Sequence, residues 1–383
     1  MSAAKWRRAM NTGLTGAVPR AVPSAGGRPV PAAPAREPDP YADSDTPRWL
    51  KYLWRTLSAR HLFVLAFVLL LPWVASPFLT YQVAAQSLIF GLIALSLSFL
   101  AGYGGMVSLA QMSVAGMAGY AVAVLGASGT TTSLAWPWWV VLPFALAIAV
   151  LGSTLIGWLS VRTDGIYTIM ITLAIGVAFY YLVLQNYTVF NGFQGFQKVY
   201  PPEVFGINWR HPVPFYHLVL FWAMAGYFLI QWLVRTPFGI ALQGIRDNPR
   251  RMNALGFDVT AHRVAAYAVS GLLAGVGGVL LVWYNGLITP GSVGTGWLIN
   301  VLVIAVLGGM KHPIGAFLGA IVFILLQTFA IDLIDRERFN LVIGGVFLAI
   351  VLFSPDGLLG LWAKLRSRFG PNQPLTSTTR RQP

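Results

Sequence analysis

Long apolar runs, separated by short polar or glycine-rich joints, fill the chain from about residue 62 to residue 353. About 20 apolar residues are needed to carry a helix across a hydrocarbon core of about 30 Å. The pattern therefore predicts an all-α, polytopic membrane protein with spans near 62–79, 81–101, 113–127, 138–160, 166–187, 214–234, 264–284, 297–309, 313–331 and 339–353. Several of these are short, and those flanking Gly102–Gln111 and Gly286–Gly296 read as broken or partly re-entrant helices within a total of about ten. Residues 1–48 are rich in Pro, Ala, Gly and Arg with no apolar run, so they read as a disordered basic tail and not as a signal peptide. The membrane domain takes 49–361, and 362–383 form a second basic tail.

Composition agrees with the pattern. The chain is 56% hydrophobic and 10% charged, has 14 Trp and a mean hydropathy of +0.66, figures that exclude a soluble core. It has no cysteine, hence no disulfide framework and no thiolate metal site. A net charge of +14 would suggest nucleic acid in a soluble protein, but here the basic residues sort by side of the membrane. With the amino terminus inside and ten crossings, both termini are inside, as are 22 of the 26 Lys and Arg residues. Only Lys198, Arg210, Arg336 and Arg338 fall outside. This positive-inside bias predicts N-in/C-in topology and makes lipid, not nucleic acid, the partner of the basic surface.

The polar, basic segment 235–263 lies on the inside by the same count. Asn248 can cap a helix, Pro249 suits its first turn and Gly256 the position after its last, so the segment predicts a helix of about two turns. On it Met252 and Leu255, three apart, are expected to face one way. So short a helix is marginal alone in water. Arg250 and Arg251 sit in its first turn, where the helix dipole disfavours cations. Docking into an acidic groove of another protein explains both facts, and a basic loop lying on anionic lipid is the competing reading.

The predicted spans hold no carboxylate, which weakens proton- or sodium-coupled transport, and the chain has no G-x-x-x-x-G-K-[ST] phosphate loop. If ATP drives this protein, another chain hydrolyses it. The run Gly102-Tyr103-Gly104-Gly105-Met106-Val107-Ser108-Leu109-Ala110-Gln111 breaks a helix at membrane depth, where freed backbone is tolerated only against protein or a wet cavity. That marks a candidate pathway at Gly104, Gly105, Ser108, Gln111 and Ser113, with the restarting helix expected to aim N–H groups at an anion such as a carboxylate. Gly116 and Gly119, like Gly271 and Gly275, read as helix-packing positions. Gly104-Gly105-Met106 is echoed by Gly308-Gly309-Met310, too short a match to be a repeat.

In their order these segments resemble the permease subunits of bacterial ABC importers, specifically the LivM type of the branched-chain amino acid (LivM/LivH) family. Ile245-Arg246-Asp247-Asn248 through Gly256 resembles its A-I-R-[DE]-N-x-x-x-x-x-x-G loop, and the 102–111 run its G-Y-x-G-x-x-S-L-G-[QH]. Gly165-Ile166-Tyr167-Thr168-Ile169-Met170-Ile171-Thr172 is similar to G-[IL]-Y-x-A-M-x-T, and 307–316 more loosely to a glycine-rich motif. The resemblance implies a pathway that also includes Tyr167, Thr168 and Thr172, and an ATPase-coupling role for Arg246, Asp247, Asn248, Arg250, Met252, Leu255 and Gly256. It further implies a bacterial inner-membrane location and a transport subunit without enzymatic activity or a bound cofactor, ATP being used by partners. Those partners would be a second, homologous or identical permease, two cytoplasmic ATPase subunits and a soluble binding protein. The cargo would be branched-chain or related amino acids. Urea, short amides or another small solute, and a stand-alone channel or carrier, are the alternatives.

Overall fold

A computed structural model describes residues 71–333, except 74, 127, 129–132, 164, 204–205 and 207, together with 344–345, 348 and 357–360. The chain divides into two units after Leu62, and all described residues belong to the second. The tails 1–48 and 362–383, most of the span expected at 62–79 and most of that at 339–353 lie outside the described residues.

The elements are α1 (Leu79–Gly104, its first turns Leu79–Ala85 π-wound), α2 (Gln111–Leu125), α3 (Trp138–Ser160), α4 (Ile166–Gln185), α5 (Tyr187–Phe190), β1 (Phe196–Gln197), α6 (Pro212–Val234), α7 (Pro237–Asp247), α8 (Pro249–Ala254), α9 (Val259–Asn285), β2 (Leu287–Ile288), α10 (Thr295–Gly308) and α11 (Pro313–Leu333). Among the described residues six helices are long and apolar enough to cross a membrane, with α10 counted from Pro290, and α2 and the apolar part of α11 are shorter. The eight middle spans expected from the sequence are all helical, with ends shifted by a few residues. The segment 235–263 is not a loop. Thr236 accepts a hydrogen bond from Gly239 N–H (3.4 Å) and Pro237 occupies the first turn, which starts α7. Ala241, Leu242 and Ile245 form its buried stripe.

In lipid the hydrophobic effect does not drive helices together, so close packing and interhelical hydrogen bonds must. Here α9 is the hub, lying on α1, α2 and α3. Its small residues permit this. A Cβ on Gly275 would stand 2.8 Å from Ala149 Cβ, one on Gly277 2.5 Å from Ile93 Cγ1, and one on Gly278 would strike the Ala115 carbonyl. Gly116, Gly119 and Gly271 are equally crowded, by Val293, Val282 and Ser153 in turn, as their packing role requires. Ser153 Oγ donates to Tyr267 O (2.7 Å) and Ser270 Oγ to Ser96 O (3.0 Å), tying α9 to α3 and α1. Helix α11 lies along α1, where Gly91 makes room for Phe317. Helices of similar apolarity end in opposite places: 83% of the α1 window is buried, against 28% for α4. Beyond the helices, β1 pairs antiparallel with β2 through Phe196↔Ile288.

Candidate functional site: a helix break clasped by a helix pair

Helix α1 ends because Gly105 takes a left-handed conformation (φ 68°), which costs other residues about 1–2 kcal/mol, and Met106 N–H closes the end on Leu100 O (3.0 Å). The chain then runs without helix to Gln111, where α2 restarts. The polar groups of this break are buried and turned on one another. Leu109 N–H donates to Thr172 Oγ1 (3.1 Å) and Ala110 N–H to Ser108 Oγ (3.4 Å). Ser96 and Ser270 both place a hydroxyl 3.0 Å from Gln111 Oε1. Ser113 Oγ donates to Gly176 O (3.4 Å), and Thr168 Oγ1 to Thr163 O (2.7 Å). Gln111 Nε2 is buried without a hydrogen-bond partner.

The amides of Leu109 and Ala110, just before the restarting helix, are taken by the hydroxyls of Thr172 and Ser108. Of the pathway residues read from the sequence, Gly104, Ser108, Gln111, Ser113, Thr168 and Thr172 are all buried, and Thr172 reaches Leu109 in the break. Tyr167 is not; it is 66% exposed on α4. Gly105 is exposed toward α7.

On the other side of the contact, α8 is a six-residue helix fixed at both ends. Asn248 Oδ1 accepts from Arg251 N–H (2.9 Å). At the far end Gly256 (φ 90°) donates to Asn253 O (3.0 Å) while Phe257 N–H donates to Met252 O (3.1 Å), the paired bonds of a Schellman stop. Asp258 then caps α9 by accepting from Ala261 N–H (2.9 Å). The helix expected between Asn248 and Gly256 is there with both of its stops, and its two apolar residues differ in burial. Met252 leans back on α7, where a Cβ on Gly244 would lie 2.8 Å from its sulfur, whereas Leu255 is 67% exposed. The reason is α7, which the sequence reading did not foresee and which takes one side of α8. Leu255, Phe257, Arg250 and Arg251 remain on the surface. Phe257 was missed, although its place directly after the glycine stop is a recurrent apolar position.

Arg246 joins the two regions. Its Nη1 donates to Gly102 O near the end of α1, and its Nε and Nη2 reach Asp247 Oδ1 (3.1 Å each). A Cβ on Gly105 would lie 2.6 Å from Arg246 Cγ, and one on Gly102 would strike the carbonyl of Met310, in the turn between α10 and α11. The end of α1 is therefore held between α7 and that turn. Residues 102 and 246 are too far apart in sequence for any local pattern to have shown this. Gly309, like Gly105, has positive φ (99°), so the two echoed glycine pairs are both helix stops. Among the described residues no cluster of three or more His, Cys, Asp or Glu could hold a metal ion.

Such a set, six apolar helices long enough to cross a membrane, a largely buried break between two helices and a capped polar helix pair against its end, defines a multi-pass membrane protein. The family model described as the permease component of the branched-chain amino acid transport system matches residues 79–351, and the chain belongs to that family. It is 26% identical over 325 residues to the high-affinity branched-chain amino acid transport system permease protein LivM of Salmonella typhimurium strain LT2, covering 78% of this chain and 74% of the relative. LivM of Escherichia coli strain K12 gives the same identity and coverage. A nucleoside ABC transporter permease protein, NupC of Lactococcus lactis, is 31% identical over 106 residues, 27% of this chain and 33% of the relative. No solved structure matches.

Proposed function

We propose that this chain is the membrane-embedded permease subunit of an ABC importer in the bacterial inner membrane and forms a pathway for branched-chain or related amino acids. It works beside a second permease, two cytoplasmic ATPases that consume the ATP, and a soluble binding protein that selects the cargo; it has no covalent chemistry of its own. The observation that carries the reading is the clasp of Arg246 on the end of α1. In this mechanism an ATPase grips Leu255, Phe257 and the two arginines, α7 moves with α8 through Met252, and Arg246 passes the displacement to the break. A permease that alternates between two states needs such a connection, because its partners must bias those states unequally. Gly105, Ser108, Gln111 and Ser113 act at the break as its hinge and lock, with Thr168 and Thr172 on α4 closing the lock.

Orientation is tested on this chain without its partner subunits. In this cysteine-free chain single cysteines at Arg250 and Gln194 are expected to label from opposite sides, Arg250 from the inside. The cargo is tested in proteoliposomes holding the full complex, where leucine, isoleucine and valine uptake should require ATP and should not be displaced by excess urea or nucleoside. Uptake of urea alone would replace the amino acid reading, and uptake without any ATPase would replace the importer reading.

A further inference from the structure

Helices α3, α6 and α9 leave between them an apolar groove of about 400 Å³, walled by Trp138, Trp139 and Leu146 of α3, Trp222 of α6, and Val276 and Trp283 of α9. The start of α3, the start of α6 and the end of α9 lie on one side of the membrane, since α3 and α6 each run away from it and α9 returns to it. From Trp283 down to Val276 is seven residues, and from Pro212 down to Trp222 is ten, so at 1.5 Å per residue the groove descends roughly 10–15 Å. That is the depth of one leaflet, half of a core about 30 Å thick. An extended hydrocarbon chain matches such a groove in length and in the apolar character of its walls.

At its mouth the groove meets a second cavity of about 300 Å³ that shares Trp138, Leu142 and Trp283 with it and reaches Tyr200. The guanidinium of Arg210 lies 3.9 Å over the Tyr200 ring, two residues before α6 begins, and is exposed. The mouth segment 198–210 carries Lys198 and Arg210 against the single carboxylate Glu203. Trp138 and Trp283 stand near the ends of their helices, the level at which indoles sit between hydrocarbon and headgroups. An apolar slot one leaflet deep, with an arginine fork at its rim, has the shape and charge of a lipid site, because a guanidinium binds phosphate oxygens in a bidentate manner. We propose that this groove holds one acyl chain of an anionic phospholipid, with the phosphate at Arg210.

The full chain, purified from membranes, is titrated with phosphatidylglycerol or with phosphatidylcholine of the same acyl chains and read by native mass spectrometry. One phosphatidylglycerol should be retained at least tenfold more strongly than phosphatidylcholine. Arg210→Gln should remove that preference and leave a single lipid bound. Leu146→Trp, or Val276→Phe should that variant not fold, should fill the slot and lose both lipids. Retention of no lipid by the unaltered chain, or unchanged retention in the slot-filled variant, would overturn the proposal. So would a cysteine at Trp222 that cross-links to a second copy, since the groove would then be a protein interface.

Discussion

The break at 105–110 and the short helix α8 both interrupt regular structure, and they satisfy their backbone by opposite means. The break is internal, and two of its amides are met by the side chains of Ser108 and Thr172, the latter from a separate span. The helix α8 is at the surface, and its ends are closed by residues within a few positions of one another, Asn248 with Arg251 and Phe257 with Met252. The difference follows from the solvent. In hydrocarbon an unpaired amide costs several kcal/mol, so an internal break has to borrow partners from neighbouring helices. At the aqueous end water meets whatever the caps leave, so the local sequence suffices. A region closed by its own sequence can move as a unit, whereas one closed by its neighbours moves only if they do. Arg246, on the side closed by its own sequence, holds the side closed by its neighbours.

Breaking the internal side should have the largest effect. Gly105→Leu imposes a left-handed conformation on a branched residue and drives its side chain into Arg246; ATP-dependent uptake should be abolished while the chain is still found in the membrane fraction. Normal uptake by that variant would mean that the break tolerates rearrangement and is not the hinge. At the surface helix α8, Leu255→Asp with Phe257→Asp should lower ATPase retention in a pull-down about 30-fold, the equivalent of about 2 kcal/mol for an interface anchor. Met252→Asp alone should retain the ATPase better, because Met252 faces α7. If Arg250→Gln with Arg251→Gln is the damaging pair, and only in anionic lipid, then α8 lies on the membrane and grips no partner.

The connection is tested by Arg246→Ala, which removes a charge-assisted hydrogen bond worth about 1.5–3 kcal/mol. It should reduce uptake about tenfold while the ATPase still binds and hydrolyses ATP, an uncoupled complex. Full coupling in this variant would assign transmission to the α7 packing around Leu242 instead. The smallest change is expected from Ser270→Ala, which removes the hydroxyl shared between Ser96 O and Gln111 Oε1 and should lower stability by about 0.6 kcal/mol, an average interhelical bond, read as a small drop in melting temperature.

Much of this was legible in the chain. Apolar run length identifies the spans because the bilayer sets one length for all of them, and Asn248, Pro249 and Gly256 announce α8 because caps are local chemistry. Gly105 announces a break for the same reason, since its backbone freedom is a property of the residue itself. Helix α7 was not legible as a helix: eleven residues with a narrow stripe at Ala241, Leu242 and Ile245 resemble a polar loop until something covers the stripe.

The sequence by itself therefore determined the class of protein, the crossing segments and the places where helices stop, all of which depend on residues within a turn or two of each other or on the fixed thickness of the membrane. Only the tertiary structure decided what each group meets: Met252 against α7 while Leu255 stays exposed, Thr172 on Leu109 N–H, and Arg246 on Gly102 O. These depend on which helices are neighbours, and for equally apolar helices in lipid that choice is made by close packing of small residues such as Gly275, Gly277 and Gly278, whose partners lie far away along the chain.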